Sequence, residues 1–338
     1  MSSQAGDPVG AGGSSVAATR IRVGLIGLDR AGQFHAERLS LRSDVEVVAA
    51  WEPSLNGAPT RVSGLPGADR PCDSRLEDLL ARPDFDRVLI AGPIERRAEW
   101  ALQAFEAGKH VEIDAPPCCT VRQLGDLVST ASRVCRRLSV LPTRRDGADF
   151  RTASQVVRGD QLGRINSARL VSWGKAVPYD SLSDVDLFTI FAYQYVDQVL
   201  QLVPGRPRRV FSRLFGPAKS APATTAFMLA IDFEPGIDAL IDVNLESGAV
   251  LQTGWMLAGA RGGFSGGRIY LQEPSGEISD APASENHPPA IDIYSEFLAS
   301  ADGELGLTTS AREAEVVMRV LDAARESSRT GQTVSLEF

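Results

Sequence analysis

Lysine and histidine are both scarce in this chain of 338 residues, which contains three of each. Their side chains are common proton-transfer groups, so few positions are available for that chemistry near neutral pH. Lys109 and Lys219 are expected in solvated loops, and His35 and His110 are expected to have structural roles. Lys175 ends a predicted strand and has two interpretations: a plain surface lysine, or a catalytic or substrate-contacting group in a cleft.

Cysteine is also scarce, with four residues and no C-x-x-C spacing. Cys118 and Cys119 are adjacent, and a disulfide between neighbours is strained. No group of His, Cys, Asp and Glu shows metal-ligand spacing. This usage is typical of a reduced, cytoplasmic protein whose cysteines pack in the interior, and it predicts no metal site.

Long apolar runs are missing, and nothing in the sequence suggests a membrane span. A net charge of −8 disfavours non-specific nucleic-acid binding. Residues 1–19 are rich in Gly, Ser and Ala but lack the apolar core of a signal peptide, so we expect a disordered leader there. The rest of the chain is long enough for two domains, predicted at residues 20–142 and 143–338.

A strand, a glycine turn and a helix follow one another near the N-terminus. Residues 21–27 are predicted to be a buried strand, and residues 33–41 carry apolar side chains at helical spacing. A second strand at residues 45–51 delivers Glu52 about twenty residues after Gly32, which is the order of a dinucleotide-binding βαβ unit. An acid there can bind the adenosine ribose and repels a 2′-phosphate, so NAD is favoured over NADP. The predicted loop contacts to the cofactor are Gly27, Leu28, Asp29, Arg30, Ala31 and Gly32.

Asp29 stands where the middle glycine of the G-x-G-x-x-G pattern is expected. Glycine there lets the backbone approach a pyrophosphate, whereas a carboxylate a few ångströms from a phosphate costs roughly 1–4 kcal/mol. Two interpretations remain open. Asp29 points outward or pairs with Arg30 while a dinucleotide binds, or it caps the following helix and the loop no longer receives a pyrophosphate.

The alternation of strands and helices continues to about residue 141, which predicts a parallel sheet covered on both faces. Segments within it and beyond it resemble the Gfo/Idh/MocA oxidoreductase family: Ile90-Ala91-Gly92-Pro93, Asp114-Ala115-Pro116, Arg144-Arg145 and residues 98–101, 106–111, 159–165 and 323–331. The resemblance implies an α/β protein with an N-terminal Rossmann domain, a doubly wound parallel sheet. It also implies a C-terminal α+β domain with an open, mainly antiparallel sheet that lines the substrate cleft.

The same resemblance implies hydride transfer between NAD(P) and a sugar- or cyclitol-like substrate. It adds Ala91, Pro93, Asp114 and Pro116 to the predicted cofactor contacts. The lysine of the family's E-K-P motif, which serves in proton transfer, falls on Ala115. A methyl group can neither donate nor accept a proton.

A second family motif, D-x-x-x-H-x-x-D on a helix of the second domain, falls on residues 190–197. Ile190 replaces its first acid and Gln194 replaces its histidine, while Asp197 keeps its last acid. The candidates for atypical catalytic groups are Lys175, Asp197 and Tyr193. Tyr193 equally fits a core position on an apolar helix.

Two classes of function follow. The first is an NAD(P)-dependent oxidoreductase acting on a sugar-like substrate with atypical proton-transfer residues. The second is a catalytically degenerate relative that binds a dinucleotide or sugar as a regulator or scaffold. A redox-neutral reaction with NAD kept bound is a third, less favoured, reading. Each predicts a carbohydrate-like small-molecule ligand, no nucleic-acid or membrane partner, and a homodimer or homotetramer.

Patterns in the second half predict strands at residues 166–173, 225–233 and 239–245 and a closing helix at residues 310–328. The glycine-rich run at residues 259–267 invites comparison with a phosphate-binding loop. It lacks G-K-[ST] and lies between strands, so a hairpin or flexible connection is predicted instead.

Overall fold

A computed structural model describes residues 20–55, 72–174, 187–216, 224–248, 251–283, 292–298 and 309–338. The leader at residues 1–19 lies outside these described residues, as do Lys175 and Lys219. The roles predicted for them stay predictions.

The first sheet has five parallel strands in the order β2-β1-β3-β4-β5. They are β1 (Ile21–Ile26), β2 (Val45–Trp51), β3 (Arg87–Ile90), β4 (His110–Asp114) and β5 (Leu138–Leu141). Every residue of β3, β4 and β5 is buried, as strands covered on both faces require. We call this sheet and its helices the N-terminal domain.

Helices cover both faces of this sheet. They are α1 (Arg30–Ser40), α2 (Leu76–Leu80), α3 (Ile94–Glu106) and α4 (Val121–Arg133). Helix α1 packs on one face, and α2, α3 and α4 pack on the other. The start of α4 is fixed by a capping box, in which Thr120 and Gln123 bond each other's backbone N–H. The arrangement confirms the predicted doubly wound Rossmann architecture.

The second sheet has nine strands in the order β13-β12-β11-β10-β6-β9-β8-β7-β14. They are β6 (Ile165–Trp173), β7 (Arg206–Phe215), β8 (Ala226–Glu234), β9 (Ile237–Asn244), β10 (Leu251–Gly259), β11 (Gly262–Ser265), β12 (Arg268–Gln272), β13 (Ile278–Pro282) and β14 (Val334–Ser335). Only β6 and β9 pair in parallel, so the prediction of an open, mainly antiparallel sheet is confirmed. The glycine-rich run at residues 259–267 includes the tight turns that join β10 to β11 and β11 to β12, as predicted.

Four helices accompany the second sheet: α5 (Ala148–Arg158), α6 (Leu187–Leu202), α7 (Ser295–Leu298) and α8 (Thr309–Thr330). Strand β8 alternates buried and half-buried residues, so one face of the sheet is covered and the other is open. Thirteen of the sixteen residues of α6 are buried, which places this helix in the centre of the molecule. We call this sheet with α5, α6 and α8 the C-terminal domain.

The hydrophobic core has two parts. The larger part runs from the α3 and α4 side of the first sheet through α6 and α8 into the second sheet. The smaller part lies on the α1 side of the first sheet and includes Ile293, Tyr294 and Leu298. Residues 292–298, which we call the strap, therefore pack on the N-terminal domain. Among the described helices, none is both long and apolar enough to span a membrane.

Candidate functional site

The loop between β1 and α1 keeps the close backbone approach of a dinucleotide-binding turn. Gly27 has a φ of +86°, and a Cβ on it would lie 2.8 Å from the backbone of Ala91 and Gly92. A Cβ on Gly32 would lie 2.0 Å from the carbonyl oxygen of Gly27. Only glycine fits at these two positions, so strand and helix can meet as the fold requires.

Two carboxylates of the chain accept hydrogen bonds from backbone amides of this loop. Oδ1 of Asp29 accepts hydrogen bonds from the amides of Ala31, at 3.1 Å, and Gly32, at 3.0 Å. Oε2 of Glu52 accepts from the amide of Leu28 at 2.5 Å. Amides at a helix N-terminus are the groups that bind a pyrophosphate in such folds. Asp29 therefore caps α1, as one of the two interpretations predicts, and places a negative charge beside the phosphate position.

The other predicted cofactor contacts gather at the same edge of the sheet. Leu28 and Ala91 are buried beside the turn, while Arg30 and Pro93 are exposed at the starts of α1 and α3. Glu52 follows directly after β2, and its other oxygen accepts from the amide of Ser54 at 3.1 Å. The carboxyl ends of parallel strands are where nucleotides bind in open α/β sheets, so the predicted residues do converge on one site.

A cavity of about 280 Å³ adjoins Glu52, and the sequence analysis did not predict it. Its walls include Trp51, Arg96 and Trp100. The two indole rings meet edge to face with centroids 5.4 Å apart, and the Arg96 guanidinium lies over Trp100. Two aromatic side chains next to an acid at the end of β2 offer an apolar wall and a hydrogen-bond acceptor to a planar, polar ligand.

Asp114 is held at the end of β4 by two basic side chains. Nη2 of Arg97 lies 3.0 Å from its Oδ2, and Nε2 of His35 lies 3.2 Å from its Oδ1. Burial by itself raises the pKa of Asp114, but the Arg97 guanidinium and the His35 ring outweigh burial and hold that pKa below its usual value. The carboxyl group is therefore a fixed anion.

Arg97 also fixes the backbone that carries Ala115. Its guanidinium donates to the carbonyl oxygens of Gly92, at 2.9 Å, Asp114, at 2.7 Å, and Pro116, at 2.8 Å. Arg97 therefore has a structural function. Residues 114–116, which we call the cleft turn, are rigidly held although they lack the family's lysine.

Gln194 faces the cleft turn from α6. Its Nε2 donates to the carbonyl oxygen of Ala115 at 2.8 Å, and its side chain is buried. Its Oε1 has no hydrogen-bond partner in the part of the chain that the structure describes. The positions of the family's lysine and histidine are therefore in direct contact, and neither carries a titratable group.

Asp197 is bound into a buried ion pair. Its two carboxylate oxygens contact Arg145, at 2.7 Å from Nε and 2.5 Å from Nη2, and Glu313 contacts the same Nη2 at 2.5 Å. Burial is the largest influence and raises the pKa of Asp197, against the opposite effect of Arg145. This bidentate pair argues against the predicted catalytic role of Asp197, because both oxygens are already taken by a structural cation.

Tyr193 is also in the interior, with 1% of its surface exposed. Burial raises the pKa of its phenol well above the ordinary value, with Asp197 adding to the effect. A phenol that is so enclosed fits the core interpretation of Tyr193. The catalytic roles of Lys175, Asp197 and Tyr193 all stay predictions.

Lys109 corrects another expectation. It was expected in solvent, but it is 5% exposed, and its Nζ donates to the carbonyl oxygens of Arg82, at 2.6 Å, and Phe85, at 2.7 Å. The ammonium group thereby ties the start of β4 to the loop before β3. His110 is structural, as expected: its Nδ1 accepts from the amide of Arg137 at 3.0 Å.

Comparison with known proteins agrees with this fold. Residues 21–141 match the family described as "Oxidoreductase family, NAD-binding Rossmann fold", GFO_IDH_MocA, which confirms the resemblance seen in the sequence. A glycosyl hydrolase family 109 protein from Shewanella putrefaciens is 28% identical over 152 residues, or 43% of this chain and 33% of that protein. The chain thus matches about a third of the length of that curated relative.

Solved structures resemble nearly the whole chain. An NAD-binding protein from Listeria innocua superposes with a TM-score of 0.83 at 21% identity, covering 94% of this chain and 100% of that one. The WlbA dehydrogenase from Bordetella pertussis, solved with NADH and UDP-GlcNAcA, superposes with a TM-score of 0.74 at 20% identity. The match covers 94% of this chain and 99% of that one. At such identities the likeness shows the fold alone.

Proposed function

We propose that this chain is a catalytically degenerate relative of the Gfo/Idh/MocA oxidoreductases that binds a dinucleotide and a carbohydrate-like ligand as a regulator or scaffold. The observation that carries the proposal is the contact between Ala115 and Gln194. The alanine has no ionisable group, and the glutamine amide is engaged by the alanine's own carbonyl oxygen. Neither side chain exchanges a proton near neutral pH.

The replacement of the family's lysine by Ala115 and of its histidine by Gln194 is expected to have a large effect on the reaction rate. A well-placed general acid or base contributes about 10²–10⁴-fold to a rate. Groups that act as one unit lose most of their effect when a single member is removed, so the remaining Asp197 does not compensate. Its pairing with Arg145 supports the same conclusion.

Binding of NAD, rather than NADP, is proposed from the glycine loop and Glu52. The carboxylate at the end of β2 repels a 2′-phosphate, and the adjoining cavity with Trp51 and Trp100 suits the adenosine half. Asp29 opposes binding by roughly 1–4 kcal/mol, because its charge lies beside the phosphate position. We therefore expect NAD to bind, but weakly.

A carbohydrate-like ligand is proposed from the acceptor that Gln194 presents. A buried amide oxygen without a partner costs free energy, and a ligand hydroxyl would satisfy it. A sugar or cyclitol offers several such hydroxyl donors. Gln198 on the same helix is already satisfied, because its Oε1 accepts from Nε1 of Trp255 at 3.0 Å and its Nε2 donates to the carbonyl oxygen of Arg144 at 2.8 Å.

Hydride transfer with an atypical base is the second candidate. It is favoured by the intact backbone of the glycine loop, where Gly27 and Gly32 keep the close contacts that a bound dinucleotide needs. Lys175, which lies outside the described residues, is the base that this candidate proposes.

The test begins with calorimetric titration of the protein, and of Asp29→Gly, with NAD⁺, NADH, NADP⁺ and NADPH. The same proteins are then mixed with NAD⁺ and a panel of sugars and cyclitols while absorbance at the NADH band is followed. The degenerate protein is expected to bind NAD⁺ and NADH weakly, to bind more tightly in the variant, and to produce no NADH in either.

A double variant, Ala115→Lys with Gln194→His, is the matched positive control because it restores both family side chains. Turnover by the native protein that disappears in Lys175→Ala would overturn the degenerate assignment and establish the second candidate. Absence of binding at millimolar ligand even in Asp29→Gly would remove the dinucleotide from the proposal.

We also propose a homodimer or homotetramer formed through the open face of the second sheet. Met228, Ala230 and Leu240 lie half-buried on that face. Light scattering of Leu240→Glu is expected to show a smaller species than the native protein. Ile278→Glu is the control, since Ile278 is 71% exposed on the far edge strand β13. A native monomer would refute this proposal.

A further inference from the structure

The strap joins the second half of the chain to the core of the first. Ile293, Tyr294 and Leu298 are buried in the same cluster as Val23 and Leu25 of β1. At the surface, Oδ1 of Asp292 accepts from Nη1 of Arg42 at 2.8 Å. The strap follows β13 and precedes α8, so the chain leaves the C-terminal domain, packs on α1 and β1, and returns.

Tyr294 of the strap reaches a fully buried histidine. Its hydroxyl lies 2.8 Å from Nδ1 of His35, and Nε2 of the same ring lies 3.2 Å from Oδ1 of Asp114. Burial raises the pKa of Tyr294, so the phenol keeps its proton and can donate it to Nδ1. The carboxylate of Asp114 can only accept a hydrogen bond, so Nε2 of His35 donates to it while Nδ1 faces the phenol.

From Asp114 the contacts continue into the cleft turn. Arg97 binds Oδ2 of Asp114 and also the carbonyl oxygens of Asp114 and Pro116. The next carbonyl, that of Ala115, accepts from Gln194 of α6. The C-terminal half of the chain thus contacts this network from both sides of the first sheet, through the strap on the α1 side and through α6 on the other.

We propose that Tyr294 is a positioning residue for the cleft turn. By holding Nδ1 of His35, it fixes the orientation of the ring against the carboxylate of Asp114 and, through Arg97, the backbone of residues 114–116. The proposal concerns the ligand-free protein, and its outcome is therefore independent of whether the protein turns over a substrate.

The test variant is Tyr294→Phe, which keeps the aromatic ring in the apolar cluster and removes only the hydroxyl. The first readout is the pair of ring ¹⁵N shifts of His35, which report the hydrogen bonds at Nδ1 and Nε2 separately. With three histidines in the chain, comparison with His35→Gln assigns the signals. We expect both shifts to change in the variant: that of Nδ1 because its hydroxyl partner is gone, and that of Nε2 because the ring is no longer held against Asp114.

The second readout is amide hydrogen exchange in a peptide that contains Ala115, whose amide donates to the carbonyl oxygen of Leu141 at 3.1 Å. Loss of one buried hydrogen bond is expected to raise exchange there roughly threefold to tenfold. Asp292→Asn, which weakens the strap's ion pair with Arg42 but leaves Tyr294 in place, is expected to raise exchange only in the strap.

Tyr195→Phe is the matched control. Its hydroxyl also makes a buried contact, at 3.0 Å from Oγ of Ser172, but within the C-terminal domain. It is expected to leave both the His35 shifts and the cleft-turn exchange unchanged. If Tyr294→Phe leaves the Nε2 shift of His35 unaltered, or if exchange rises in the strap alone, Tyr294 only packs and the proposal is wrong.

Discussion

The glycine loop and the cleft turn have both kept their backbone, but they have changed in different ways. In the glycine loop, Gly27 and Gly32 retain contacts that no other residue allows, while Asp29 adds a charge at the phosphate position. In the cleft turn, Arg97 binds three carbonyl oxygens, while Ala115 has lost a functional group. In both regions the packing contacts hold the backbone in place. The side chains at the predicted ligand-binding positions are what differ from the family's motifs.

The largest effect is expected where that architecture is broken. Gly32→Ala places a Cβ at 2.0 Å from a backbone oxygen that cannot move without displacing β1. We expect a loss of about 3 kcal/mol or more in the free energy of unfolding, at the upper end for overpacking. Urea denaturation measures it.

Gly125→Ala is the control for that experiment, because Gly125 lies within α4 and a Cβ there meets nothing within 4 Å. It is expected to gain up to about 1 kcal/mol from helix propensity. If Gly32→Ala and Gly125→Ala changed the free energy of unfolding equally, packing would not require a glycine at position 32.

A slightly smaller effect is expected on the α6 side of the cleft. Asp197→Asn leaves the buried Arg145 with Glu313 as its remaining partner, and we expect a loss of about 2–3 kcal/mol, measured by thermal unfolding. Glu313→Gln should cost less, because the side chain of Glu313 is more exposed. A loss of turnover without a loss of stability in Asp197→Asn would instead return Asp197 to the catalytic candidates.

Asp29→Asn separates two effects of Asp29, its negative charge and its capping of α1. Asparagine caps a helix as well as aspartate does, so stability should change by no more than about 0.5 kcal/mol. Removal of the charge is expected to strengthen NAD⁺ binding by roughly fivefold to 900-fold, the equivalent of 1–4 kcal/mol, as measured by calorimetry. Unchanged affinity would mean that the carboxylate does not oppose the pyrophosphate.

The smallest expected effect lies at the opposite end of β4 from the cleft turn. Burial lowers the pKa of His110 from its ordinary value of 6.5, so the unfolded chain takes up a proton first on acidification. Native stability should therefore fall relative to His110→Gln as the pH drops below 6.5, by up to about 1 kcal/mol near pH 5.5. Urea titrations at several pH values measure the difference.

Asp114 does not contribute to that change, because its pKa is lowered and it stays ionised across this range. Its own contribution is present above the carboxyl value of 3.8 and is lost as the pH falls further. Equal pH profiles for the native protein and His110→Gln would show that His110 titrates alike in the folded and unfolded chains.

Local patterns predicted most of the fold. The bounds of β2 were predicted to the residue, and β1 and α8 to within two, because period and turn residues are local signals. No bounds were predicted for β7 and β10 to β14, and of these β12 and β13 are short and mostly exposed. Their pairing depends on neighbours rather than on a hydrophobic pattern.

The site was less predictable because its contacts join distant parts of the chain. The Tyr294–His35 contact spans 259 positions, and no periodicity reveals it. Arg97 did leave a signal: it falls on the apolar stripe of α3 between Ile94 and Ala101, where a charged side chain needs a buried partner. The sequence contains no such signal for Lys109, because the carbonyl oxygens that it binds belong to a loop.

The strap also bears on how such proteins can be recombined. A fragment ending at residue 142 contains all five strands of the parallel sheet but lacks Ile293, Tyr294 and Leu298, which cover β1. Such a fragment would expose apolar surface and leave His35 without its hydroxyl partner. The half with the parallel sheet is therefore not a transplantable module, and a working chimera has to inherit residues 292–298 together with the sheet that they complete.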